Sequence, residues 1–97
     1  MDEIFPQRRR KKVDREALQS PFSRIPGLDL RTVRDLLDLG FRQVDELAGR
    51  SPEALFEEVQ NLRENTPPDR LWHLRLAVYF AETPEPDPAR LAAWRWQ

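Results

Sequence analysis

Every apolar pattern in this 97-residue chain repeats at helical spacing, and every such run is bounded by a cap residue, a proline or a glycine. The clearest case is IPGLDLRTVRDLLDLG, Ile25 to Gly40. Leu30, Val33, Leu36 and Leu37 share one face, Asp29 precedes them as an N-cap, and Gly40 follows as a left-handed C-cap. The spacing predicts a helix from Leu30 to about Leu39. Upstream, Asp14 caps a short helix through Ser20, anchored by Leu18. Ser20-Pro21 reads as cap and first residue of a single turn carrying Phe22 and Ile25, which Pro26-Gly27 breaks. Phe41, Val44, Leu47 and Ala48 predict a short third helix ended by Gly49. Ser51-Pro52-Glu53 starts the next, with Leu55, Phe56, Val59 and Leu62 as its buried stripe.

Asn65-Thr66-Pro67-Pro68 forces a loop, and Asp69 is placed to cap RLWHLRLAVYFAE. That segment is apolar nearly all round, with Leu71, Leu74, Val78 and Ala81 on one side, and reads as the central core helix. Thr83 to Pro88 is a stiff connector. Asp87 caps and Pro88 starts a closing helix over ARLAAWRW. No alternating apolar run suggests a strand. The expected fold is all-α: one domain over residues 14–97, with five or six short helices. Residues 1–13 read as a disordered basic tail, because RRRKK, Arg8 to Lys12, is a like-charge block that buries nothing.

Charge is unevenly spread. Residues 1–24 carry seven Lys/Arg and four Asp/Glu, net +3; residues 25–97 carry nine and thirteen, net −4. The absence of cysteine excludes disulfides, thiol catalysis and cysteine-ligated zinc. No apolar run is long enough for a membrane span or a signal-peptide core, so a soluble cytoplasmic protein is expected.

The Pro-Gly break feeding directly into a capped amphipathic helix is how a helix-hairpin-helix motif reads. Such a motif lays backbone N–H groups and a helix N-terminus against a nucleic-acid phosphate. Gly27 is the hairpin glycine, and Arg31 and Arg34 stand where basic help is expected. Asp29 occupies the place of the usual second glycine. Its carboxylate competes for the N–H groups a phosphate wants and repels that phosphate. At ~4 Å and a surface dielectric near 20, two unit charges repel by roughly 4 kcal/mol before salt screening. A second unit repeats the first with an offset of twenty-two: IPGLDLRTVRDLL (25–37) aligns with LAGRSPEALFEEV (47–59), pairing Ile25 with Leu47, Val33 with Leu55 and Leu37 with Val59. Glu53, Glu57 and Glu58 make the second unit a poorer phosphate site still. Two stacked units predict a tandem helix-hairpin-helix-like (SAM-like) domain.

Three pieces, IPGLDLRTVRDLLDLGFRQVDELAG, DRLWHLRLAVYFAETPEPDP and the closing AAWRW, resemble the pathogenicity-locus family of small bacterial helix-hairpin-helix proteins. Some members of that family are labelled mitomycin-resistance proteins. The resemblance covers most of residues 22–96 and implies an all-α fold related to DNA-binding modules. Members often carry a cysteine at the start of the core helix; here that region reads Asp69-Arg70-Leu71, so no thiol-dependent role transfers.

The remaining polar residues read as structural. His73 is the only histidine and has no partner implied by spacing, so neither catalysis nor metal binding follows. The serines sit in cap contexts without a nucleophile elbow. Asp35/Asp38 and Glu57/Glu58 read as solvated helix faces. Trp72, Trp94, Trp96, Tyr79 and Phe80 read as core more than as a base-stacking platform, with Trp96 the least buried of them. Catalytic residues, metal ligands, cofactors, a membrane and a small-molecule substrate are not expected. The leading expectation is a non-enzymatic accessory module with weak, sequence-independent DNA binding. It rests on Arg8, Arg9, Arg10, Lys11 and Lys12, supported by Gly27, Arg31 and Arg34. The alternative is a protein–protein interaction adaptor that keeps the hairpin fold without phosphate binding.

Overall fold

The computed structural model describes residues 14–97. Four α-helices carry the fold: α1 (Arg15–Gln19), α2 (Leu30–Asp38), α3 (Pro52–Leu62) and α4 (Asp69–Glu82). Single 3-10 turns at Pro21–Arg24, Val44–Leu47, Pro88–Arg90 and Ala93–Trp96 fill the connections. No strand occurs among the described residues, so the all-α expectation holds. The disordered tail expected at residues 1–13 falls outside the described residues.

Local chemistry sets the helix ends much as expected. Asp14 accepts a hydrogen bond from the Ala17 N–H at 3.1 Å and starts α1. Asp29 does the same for α2, accepting from the Thr32 N–H at 2.9 Å and from the Thr32 hydroxyl at 2.5 Å. Ser51 caps α3 through the Ala54 N–H at 3.2 Å. The end of α2 is a Schellman closure: the Gly40 N–H donates to the Leu37 carbonyl, and the Phe41 N–H to that of Leu36. Gly40 has φ of 100°, which a side chain would strain. The closure turns Phe41 inward, where it is buried with the core.

The two aligned stretches are alike in local detail. Ile25, Leu47, Val33, Leu55, Leu37 and Val59, the three matched pairs, are all buried. Gly27 and Gly49 adopt the same left-handed turn, with φ of 80° and 81°. At matching places Asp29 and Ser51 cap their helices through the N–H three residues on. Helix α4 lies centrally, packed against α3, α2 and the turns at 44–47 and 93–96. It buries Leu74, Ala77 and Val78 on one side and Leu76 on nearly the opposite side. That two-sided burial explains its almost uniformly apolar sequence.

Several expectations require correction. The third helix is only the 3-10 turn Val44–Leu47. Between two left-handed glycines, 40 and 49, there is room for a single turn, and one turn does not sustain an α-helix. Glu46 closes that turn by accepting from the Arg42 and Gln43 N–H groups. The closing helix over 88–96 is two 3-10 turns separated by extended backbone at Ala92. That break lets Leu91 press against Gly27 while Trp96 turns back to Tyr79, whose ring centroid lies 5.1 Å away.

Asp69 is the first helical residue of α4, not its cap. The α4 entry is tightened instead by Arg70 and Leu71 N–H bonds to the Pro67 and Pro68 carbonyls. Ser20 does not cap the following turn; its hydroxyl donates back to the Ala17 carbonyl at 3.0 Å. Leu18 is half exposed, and the small Ala17 is the buried residue of α1. Leu62, the last residue of α3, is likewise half exposed. Trp94, not Trp96, is the most exposed aromatic of the C-terminal segment.

Candidate functional site: two closed hairpins and an arginine cleft

The first hairpin is closed from two sides. A Cβ on Gly27 would stand 2.5 Å from the Leu91 carbonyl oxygen and 3.3 Å from Leu76 Cδ2. The close approach that glycine permits is therefore taken by the chain's own backbone. The Leu28 N–H is spent on the Ile25 carbonyl, and the Thr32 N–H on the Asp29 carboxylate. Burial pushes the Asp29 carboxyl up, but the Thr32 hydroxyl and N–H, helped by His73 and Arg70, outweigh it and hold the group below its usual range. The carboxylate thus stands charged at the helix N-terminus, where a ligand phosphate would have to sit. His73, expected to lack a partner, lies 3.7 Å from Asp29 through Nε2, with Nδ1 3.1 Å from the Asp69 carbonyl.

The second hairpin is closed by a different acceptor. The Gly49 N–H donates to a Glu82 carboxylate oxygen at 2.7 Å, from the last turn of α4. A carboxylate from within the chain therefore takes the N–H of this second glycine turn.

The predicted basic residues are divided among different surroundings. Arg8, Arg9, Arg10, Lys11 and Lys12 fall outside the described residues. Arg34 is held by Asp14, Glu16 and Asp38, at 3.2, 3.0 and 2.9 Å. Arg31 is exposed and forms no ion pair with another described residue. Both arginines border an open cleft of about 370 Å³ between the start of α2 and the loop at 63–67. Gly27 does not line it, so the hairpin and its expected cations are not one site.

The floor of this cleft holds an ion-pair network that sequence reasoning missed. Asp35, expected on a solvated face, is 1% exposed; Arg70, in the apolar helix, is 6% exposed. The Arg70 guanidinium is hydrogen-bonded to the Asp35 carboxylate. Arg63 joins from the end of α3, 3.1 Å from Asp35 and 2.5 Å from Asp38. Burial pushes the Asp35 carboxyl upward, and the two arginines only partly oppose it. The available signals were faint: Asp35 lies three residues after the buried Thr32, and Arg70 is a charge opening an otherwise apolar helix. The lining carries four arginines and two aspartates; Glu16 and Asp38 beside it pair with Arg34 and Arg63 and bring the local charges close to balance, so the cleft offers no concentrated attraction to a polyanion.

Gly27→Ala tests the first closure. A left-handed alanine alone costs roughly 1–2 kcal/mol. The same change at Gly49, where a Cβ meets nothing within 4 Å, carries that cost only. At Gly27 the Leu91 carbonyl must also move, so the expected loss is about 3 kcal/mol, near the upper end for backbone strain. Urea unfolding of the two variants compares them directly. Equal losses would show that Leu91 does not press on the hairpin.

No group of three or more possible metal-ligating side chains occurs among the described residues, and no helix of theirs is long and apolar enough to cross a membrane. A family model described as Pathogenicity locus (Cdd1) matches residues 14–97. No curated protein and no solved structure matches the chain.

Proposed function

The chain belongs to the pathogenicity-locus family, and from that premise we propose that it is a non-enzymatic, cytoplasmic protein-interaction adaptor built on tandem helix-hairpin-helix-like units. One observation carries the reading: in each unit an acceptor from the chain itself occupies the hairpin. Asp29 takes the Thr32 N–H in the first, where the Leu91 carbonyl also packs on Gly27, and Glu82 takes the Gly49 N–H in the second. Units arranged this way serve packing, and the surfaces left over for binding are those of side chains. The charge of the folded part agrees, since residues 25–97 are net −4 and repel nucleic acid at long range. A second reading, sequence-independent DNA binding, is favoured by the RRRKK block at Arg8 to Lys12.

Asp29→Gly separates the two readings. Glycine is a tolerable N-cap, so stability falls by only a few tenths of a kcal/mol. The change removes a negative charge and restores the usual hairpin sequence. Fluorescence anisotropy with a labelled duplex at low salt is expected to give the same affinity for wild type and variant, because Leu91 still fills the hairpin. A tighter complex would overturn the closed-hairpin reading. Wild-type duplex binding that disappears on removing residues 1–13 would put the second reading in front.

A further inference from the structure

Three arginines lie over aromatic rings. Arg50 lies over Phe41 at 4.9 Å, Arg90 over Tyr79 at 5.9 Å and Arg95 over Trp94 at 5.0 Å. All three are exposed, and none forms an ion pair with another described residue. They belong to one surface. Arg50 and Arg95 line a common cleft of about 530 Å³ with Trp96, and Arg95, Trp96 and Arg90 line an adjoining one of about 380 Å³. Trp94, 60% exposed, is the most exposed large apolar side chain described. The carboxylates bordering these clefts are already engaged. Glu82 holds the Gly49 N–H, Asp87 caps the turn at Ala89, and nearby Glu53 pairs with Arg75 at 3.1 Å. Four arginines, 50, 75, 90 and 95, against the lining carboxylates of Glu82 and Asp87 leave the two clefts cationic on a domain that is acidic as a whole, while Glu46 and Glu58 flank Arg50 on its Phe41 side.

We infer that this C-terminal face docks a carboxylate-rich peptide segment of a partner protein, the guanidinium edges of Arg50, Arg90 and Arg95 taking its acidic side chains beside the exposed Trp94. The inference rests on the adaptor reading and names its partner chemistry. A guanidinium held over a ring is restrained in position while its N–H groups stay available to a carboxylate. Arg95 spends its Nε–H on the Ala89 carbonyl at 3.1 Å, which fixes the plane and keeps the terminal nitrogens for a ligand. Exposed tryptophan among arginine and tyrosine is also the residue mix that dominates binding energy at protein interfaces. Single-stranded nucleic acid fits less well. Base stacking needs open ring faces, and here guanidinium groups already cover a face of Phe41, Tyr79 and Trp94, while Trp96 packs on Tyr79.

The test uses the full chain and two fluorescein-labelled probes: a peptide of about ten residues alternating glutamate with glycine and phenylalanine, and a thymidine single strand of similar length. Anisotropy titrations at low salt are run on wild type, Arg50→Glu, Arg90→Glu, Trp94→Ala and Arg24→Glu. Arg24 is exposed, borders neither cleft, and controls for the change in net charge. The peptide is expected to bind wild type. Each arginine reversal on this face should weaken it about tenfold, and Trp94→Ala several-fold, as for the loss of one charged contact or one aromatic anchor. Circular dichroism verifies that each variant stays folded. Failure of the peptide to bind, or an equal loss in Arg24→Glu, overturns the proposal. So does binding of the thymidine strand alone with loss in these same variants, which would assign the face to nucleic acid. A partner still captured by the Arg50→Glu and Arg90→Glu chains after nuclease treatment would overturn this surface while leaving the adaptor reading intact.

Discussion

Arg70→Ala is expected to cost about 3 kcal/mol, the lower end of what breaking a buried ion pair costs when one partner stays behind. Asp35 would keep Arg63 at 3.1 Å, which limits the loss, but its carboxylate is 1% exposed and would have no second cation. Arg63→Ala is expected to cost much less, about 1 kcal/mol, because Arg63 is one-third exposed and water replaces it. The double replacement Asp35→Leu with Arg70→Leu should recover most of the Arg70→Ala loss, since neither charge is then buried. Acidity supplies an independent readout. Asp35 in the folded chain already titrates above its usual range because of burial. A carboxyl raised on folding binds its proton more readily in the native state, so its contribution to stability improves as pH falls through the native value. Removing Arg70 takes away an opposing cation and raises the group further. The gap between wild type and Arg70→Ala should therefore narrow as pH is lowered from about 7 toward about 5. Urea unfolding at both values checks it, and a gap that widens in acid would mean that Asp35 is not the group left stranded.

What was legible in the sequence was local. Caps at Asp14, Asp29 and Ser51 act within three residues, and the left-handed turns at Gly27, Gly40 and Gly49 are set by one residue each. The repeat was legible for the same reason, because each unit is a complete local instruction of turn, glycine, cap and helix. What failed to show was long-range. Arg70 and Asp35 are 35 positions apart, Gly49 and Glu82 are 33 apart, and neither partner of either pair implies the other. Arg70 carried no signal of its own at the start of an apolar helix, and Asp35 reads as one of two solvated acids on α2. The same limit produced the wrong closing helix. Pro88 to Trp96 has caps and apolar spacing suited to an α-helix, but contacts of Leu91 with Gly27 and of Trp96 with Tyr79 and Arg75 require an extended break. At the candidate site, the competition between Asp29 and a phosphate was visible in sequence. The Leu91 carbonyl was not, since a backbone atom 64 residues downstream leaves no compositional trace.

Leu74→Asp should be the most damaging single substitution in the molecule. Leu74 is fully buried at the middle of α4, the helix that α2, α3 and both flanking turns pack against. An aspartate there would be a buried charge one turn from Arg70, whose guanidinium is already committed to Asp35, and a group so placed either forces open the core or takes up a proton at a large cost. Val78, one turn later on the same apolar stripe, is 5% exposed and borders the cleft lined by Arg50, Arg75 and Arg95. An aspartate at 78 can turn toward those cations and water. Leu74→Asp is therefore expected to lose more than about 5 kcal/mol, comparable to the entire stability of a domain this size, and to leave the chain largely unfolded. Val78→Asp should lose about 3 kcal/mol and remain folded in the cold. Leu74→Ala should cost about 3 kcal/mol by its cavity alone, and shows how much of the aspartate effect is charge. Far-UV circular dichroism through a thermal ramp ranks the three. A Val78→Asp chain that melts below Leu74→Asp would place the cleft arginines out of reach of position 78 and shift the centre of the core one turn toward the C-terminal end of α4.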